Sequence, residues 1–231
     1  MHARAQLHKN GVVPEIIEIS SSSGVVEVVA EERDDVEVSG GRRSEQDGMI
    51  VIDAGSSNVA VRCPVGSALR VGVDSGGVTI AGLLGDVRVT SSSGRVAIGR
   101  VASADVRSAS GKVTVEECEG DCRVVVASGA AEIGRAARLD ATLKSGSLVA
   151  GPVDEASVTV KSGSARIRAT GAGDVKVRSY SGIVTVEFPP GVCPHCVVDA
   201  QSGAFNCEPE MGDDCNVSVE AMSGDVSVVV S

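Results

Sequence analysis

A Ser-Gly pair returns along this chain at nearly constant intervals, and that period restricts the fold more than any other feature. The pairs are Ser75-Gly76, Ser93-Gly94, Ser110-Gly111, Ser128-Gly129, Ser145-Gly146, Ser162-Gly163, Ser181-Gly182, Ser202-Gly203 and Ser223-Gly224. Successive pairs are 18, 17, 18, 17, 17, 19, 21 and 21 residues apart. Ser57-Asn58 fits the same column one period upstream, with Asn at the position where the backbone needs a positive φ. Ser23-Gly24 is an outlying earlier copy. Around each pair apolar and polar residues alternate. In Asp86–Ile98, Val87 and Val89 precede the turn, and Val96 and Ile98 follow it. Alternation on both sides of a glycine turn reads as strand, turn, strand.

So short and regular a period indicates a solenoid, because one such unit cannot bury its own valines. The expected fold is all-β: a single β-solenoid, helix-like in its winding, of about 10–12 short coils with the Ser-Gly turns in register. Stacked about 4.8 Å apart, the coils would form continuous inner columns of Val, Ile, Leu and Ala. Each buried aliphatic side chain contributes roughly 1.5–3 kcal/mol against the entropy of ordering the chain. Glycine should lie on glycine, since a repeated turn of this kind leaves no room for Cβ. The serine beside it is expected to bond its own turn.

The organisation along the chain follows. Residues 1–14 read as a loose lead-in and 15–231 as one solenoid domain, less regular over 15–68 and regular over 69–231. Gly40–Gly48 is polar and glycine-flanked and reads as an exposed loop. The alanines of 130–156 suggest a helix, but glycines interrupt them and the period continues, so small-residue coils are expected there. The chain closes on Val226, Val228, Val229 and Val230, which reads as an apolar last strand at an open edge.

Composition narrows the partners. Aromatic residues are limited to Tyr180, Phe188 and Phe205, so the core must be thin and aliphatic. Single-stranded nucleic acid needs stacking rings and a basic groove, and the formal net charge of −10 disfavours nucleic acid and anionic lipid alike. No apolar run reaches the ~18 residues of a membrane span. Arg4 and Lys9 are followed by no apolar leader core, and seven cysteines is an odd count. Together these set an expectation of a cytoplasmic protein, or an extracytoplasmic one if the true N-terminus carries a leader. Asn216-Val217-Ser218 is a glycosylation sequon that matters only in a secreted chain.

The run from Asn58 through Asp74-Ser-Gly-Gly-Val-Thr-Ile and Gly85-Asp-Val-Arg-Val-Thr-Ser-Ser-Ser-Gly-Arg-Val-Ala-Ile resembles the DUF4097 β-strand-repeat family, often labelled "putative adhesin". The resemblance extends from about Ile16 to Val230. It implies a β-solenoid-like fold and supplies no catalytic motif to carry over.

Few residues suggest chemistry. Cys193-Pro194-His195-Cys196, with Cys215, could supply metal ligands, and Cys207 or His195 a fourth, in a zinc site. A disulfide or redox pair and inert thiols are the alternatives. The CPHC tetrapeptide also looks like a thioredoxin-type redox motif, but that chemistry needs a helix N-terminus and no βαβ context is present. Cys118 and Cys122 flank a turn and read as buried thiols ahead of a disulfide; Cys63 is placed at a strand end. The acids Glu116, Glu117, Glu119 and Asp121 read as a solvated turn, and Asp213-Asp214 likewise. No nucleophile elbow or phosphate loop occurs. The reading is therefore a non-enzymatic scaffold without cofactor, binding a protein partner or self-associating through its C-terminal edge. An extracytoplasmic adhesin or envelope module is the alternative, and a polysaccharide-acting enzyme a remote one.

Overall fold

The computed structural model describes residues 16–230. In chain order the strands are β1 (Ile16–Ser21), β2 (Val25–Glu31), β3 (Glu37–Ser39), β4 (Arg42–Gln46), β5 (Met49–Gly55) and β6 (Val59–Pro64). They continue as β7 (Ala68–Ala169), β8 (Val175–Phe188), β9 (His195–Ala200), β10 (Phe205–Cys207) and β11 (Asn216–Val230). All belong to one sheet wound into a β-solenoid, with no helix among the described residues. The alanine-rich stretch is strand, as its period requires. The element β7 is an unbroken extended path of 102 residues that carries six of the turn glycines around successive coils.

The expected glycine column is present. A Cβ on Gly94 would collide with the carbonyl of Gly76, one on Gly111 with Gly94, and one on Gly129 with Gly111. The same relation continues through Gly146, Gly163 and Gly182. The backbone at Gly129 has φ +131°, so both space and conformation demand glycine there. Gly24 belongs to this column, beneath Gly76.

Serines hold the turns in two ways, and the sequence expectation needs adjusting. The hydroxyls of Ser91 and Ser108 donate within their own turns, to the carbonyls of Ser93 and Ser110 at 3.3 and 3.1 Å. The serine next to glycine reaches instead to the neighbouring coil: Ser75 to Ser22 at 3.2 Å, Ser110 to Ser92 at 3.2 Å. Asn58 departs from its expectation too. Among the described residues the non-glycine with positive φ is Asp47, not Asn58. Asn58 serves the column with its side chain: its amide oxygen accepts from the Val25 N–H at 2.9 Å, replacing a ladder carbonyl.

Both ends of the stack break sequence order. β1 pairs in parallel with β5 on one side and with the start of β7 on the other, so the first coil lies second. β11 lies between β8 on one side and β9 and β10 on the other, so the last coil lies second from its end. This explains the two 21-residue spacings, since the chain runs out to build the end coil and returns inside it. It also corrects the expectation of an open last strand. Val226 and Val228 are buried between two neighbours, and Val230 alone of the three is substantially exposed. The edge at the C-terminal end is β9 with β10.

At the other end Gly40–Gly48 is not a loop. β4 pairs antiparallel with β5 through the turn Asp47-Gly48, whose φ values of 51° and 75° are those of a tight hairpin. The Asp-Gly pair was the available signal. All five β4 residues are exposed, which had made the segment read as a loop.

Candidate functional site

The middle coils carry a charged outer surface whose members pair with one another. Arg88 meets Asp105 at 3.3 Å, Arg123 meets Asp140 at 3.7 Å, and Arg138 spans Asp121 and Glu155 at 2.9 and 3.4 Å. Arg100 holds Glu117 and Glu119 at 2.8 and 3.3 Å. These acids are thus ion-paired across coils rather than merely solvated. Exposed pairs of this kind contribute about 0–1 kcal/mol each.

The C-terminal coils differ. Arg178 and Glu220 form a two-pronged pair at 2.6 and 3.1 Å, which raises the guanidinium and lowers the carboxyl from their usual values. Tyr180 and Met222 lie beside it, with Asp199 and Gln201 from the end coil, around an open depression of about 330 Å³. Ile183, Val197, Phe205 and Met211 are also exposed in this part of the chain. Earlier in the described chain the exposed large apolar residues are Val25, Val29, Val65 and Val149. Hydrophobic exposure is therefore concentrated beyond residue 179. At the start of β11 Asn216 donates to Asp174 at 3.0 Å, and that bond holds the Asp174 carboxyl below its usual value. The sequon asparagine is thus already engaged.

The cysteine cluster is built differently from its spacing. Asn216 lies level with His195, which brings Cys215 level with Pro194, out of step with Cys193 and Cys196. His195 and Cys196 point to opposite sides of β9, by strand alternation. The Cys193 N–H donates to the Asp214 carboxylate at 2.8 Å, which gives that acid a role in the loop. Among the described residues no group of three His, Cys, Asp or Glu is placed to hold a metal ion. Two thiols do meet. Cys196 and Cys207 have their sulfurs 3.5 Å from each other. Burial, then the hydrogen bond with Cys207, pushes the Cys196 thiol up to about 12.

Cys63, Cys118, Cys122 and Cys215 are buried and Cys193 is half-buried. A hydrogen bond between Cys118 and Cys122, with burial, pushes the Cys122 thiol up and leaves Cys118 lower. These are the buried thiols that the turn around Glu119 suggested.

Against this geometry the comparisons are specific about family. The family model described as Toastrack DUF4097 matches residues 15–231. The chain belongs to that family. Among solved structures, a "putative adhesin" from Parabacteroides distasonis ATCC 8503 is 16% identical with a TM-score of 0.56, covering 95% of this chain and 94% of the other. A "putative adhesin" from Bacteroides fragilis NCTC 9343 is 11% identical with a TM-score of 0.50, covering 94% of each chain. At such identities these likenesses speak to fold alone. No curated protein matches the Toastrack chain. No helix among its described residues is long and apolar enough to cross a membrane.

Proposed function

We propose that this Toastrack chain is a non-catalytic recognition module of the adhesin type, working outside the cytoplasm, that docks a protein on the outer face of its C-terminal coils. The observation that carries the reading is that most exposed large apolar side chains of the described residues lie beyond residue 179, with Tyr180 and Met222 beside the Arg178–Glu220 pair. Mid-stack charges pair with one another across coils. The adhesin names of structural relatives with this fold support the class of function. Asp199 and Glu220 at the patch, within a chain of net charge −10, favour a partner surface with apolar side chains inside a basic rim.

The odd cysteine count does not oppose an oxidising compartment. Four of the seven thiols are protected by burial, which needs no pairing. The test is photocrosslinking in the native host, with a benzophenone amino acid at Tyr180 and, as control, at Val149 in the middle of the stack. The reading expects the protein in the extracytoplasmic fraction and one crosslinked protein species specific to the Tyr180 position, lost on Met222→Lys. A cytoplasmic location, or equal capture from both positions, would overturn it.

A further inference from the structure

The two meeting thiols occupy a particular place in the stack. Cys196 ends the inner column Ala156, Val175, Val217, and Cys207 ends the column Ile167, Val186, Val228. Wherever the end coil's inner coils put two aliphatic side chains opposite each other, the outermost coil puts two sulfurs. Among the described residues no further coil covers them, since β9 and β10 each pair with β11. Both are half-buried, so small solutes can reach them, whereas Cys63, Cys118, Cys122 and Cys215 are shut in. The strand carrying Cys207 has three residues. A short strand held on one side yields easily, and closing the 3.5 Å gap to the ~2.05 Å of a sulfur–sulfur bond is a small movement.

We propose that Cys196 and Cys207 form a reversible disulfide that staples the two walls of the outermost coil, making this end of the solenoid redox-responsive. The oxidant is a low-molecular-weight disulfide of the glutathione type. The Cys207 thiolate attacks one of its sulfurs, forming a mixed disulfide and expelling the first small thiol. Cys196 then gives up its proton and attacks the Cys207 sulfur. The second small thiol leaves and takes up a proton. Two protein thiols are oxidised and one external disulfide is reduced to two thiols. The raised Cys196 thiol makes it the slower attacking group, in keeping with a resolving role. The staple closes a loop that contains Gly203 and the exposed stretch before β10, so it acts on the outermost coil at the C-terminal end.

The test uses the full chain in oxidised and reduced glutathione, followed by alkylation under native conditions, digestion and mass mapping. The expected product is a peptide pair joined through Cys196 and Cys207, reversed by excess reduced glutathione. Cys63, Cys118, Cys122 and Cys215 should react with alkylator only after unfolding. Chymotrypsin, which can cleave after Phe205 and Met211, should cut between β9 and β11 several-fold more slowly in the oxidised form. Cys207→Ser should abolish both effects and Cys215→Ser should leave them intact. A bridge from Cys196 to Cys193 or Cys215, or a glutathione adduct that stays on Cys207 without resolving, would overturn the proposal. The mapping on the unmodified chain decides the matter even if a variant folds poorly.

Discussion

The two ends of the stack use the same topological device and finish it in opposite ways. At each end the coil nearest the chain terminus is tucked one place inward, and a segment from further inside the sequence forms the outer layer. At the N-terminal end that layer finishes in β4, an antiparallel strand bearing Arg42, Arg43 and Glu45, all exposed. Arg43 donates to the Val36 carbonyl at 2.7 Å, and Arg33 binds Glu31, Asp35 and Glu37 at 3.0, 3.0 and 3.3 Å. Charge and a reversed strand direction guard that edge. At the C-terminal end the outer layer runs parallel, is interrupted, and exposes Val197 and Phe205. The lesson is that a solenoid seals itself where it needs only to stay soluble. On the proposed reading, it leaves apolar and reactive groups where a partner docks.

The largest effect expected is in neither end but in the column that joins them. Gly129→Val places a side chain into the Gly111 backbone at a φ that valine avoids, and should cost more than ~3 kcal/mol, read as loss of cooperative folding by urea denaturation. Gly48→Ala, in the N-terminal hairpin, meets nothing within 4 Å and should cost only about 1 kcal/mol for its positive φ. Equal costs would break the distinction between column and end.

Val228→Lys should come next. It puts a charge between Val186 and Cys207 where the side chain is fully buried, at roughly 3 kcal/mol or more, whereas Val230→Lys should stay within about 0.5 kcal/mol. The pair tests directly whether the last strand is interior. For the guarded end, Arg42→Val with Ser44→Val makes one side of β4 apolar. It should produce concentration-dependent association by sedimentation while the unmodified edge does not.

A smaller effect follows from acid. The Asp174 and Glu220 carboxyls are both lowered in the folded chain, by Asn216 and by Arg178. Their stabilising contribution is present above the unfolded carboxylate value of ~4 and is lost as pH falls below it through the folded values. Tyr180, the one tyrosine in a chain without tryptophan, is a local fluorescence probe of that end. Its signal should begin to change near that pH, and Asp174→Asn should flatten the onset. The smallest effect belongs to Ser179, whose buried hydroxyl has no hydrogen-bond partner. Ser179→Ala should be neutral or stabilise by up to ~1 kcal/mol, while Ser108→Ala should cost about that much.

What the residues disclosed and what they concealed divide along the same line. The glycine column and the inner valines were legible, because every coil repeats the same steric demand. The exchange of coil order was not, because Gly203 and Gly224 satisfy that demand in either order. Only the lengthened spacings hinted at it. Hidden for the same reason was the meeting of Cys196 with Cys207: position relative to the turn puts them on opposite walls, yet opposite walls face each other across a thin core. The β4 hairpin was within reach through Asp47-Gly48 but was masked by its polarity.

The most direct test is a nuclear Overhauser spectrum of the turn glycines. Like stacked on like, with ends tucked inward, predicts that Gly224 Hα contacts both the Gly182 and Gly203 strands, and that Gly111 contacts Gly94 and Gly129. A spectrum in which Gly203 touches Gly182, or in which Gly111 has no contact with Gly94, would contradict it.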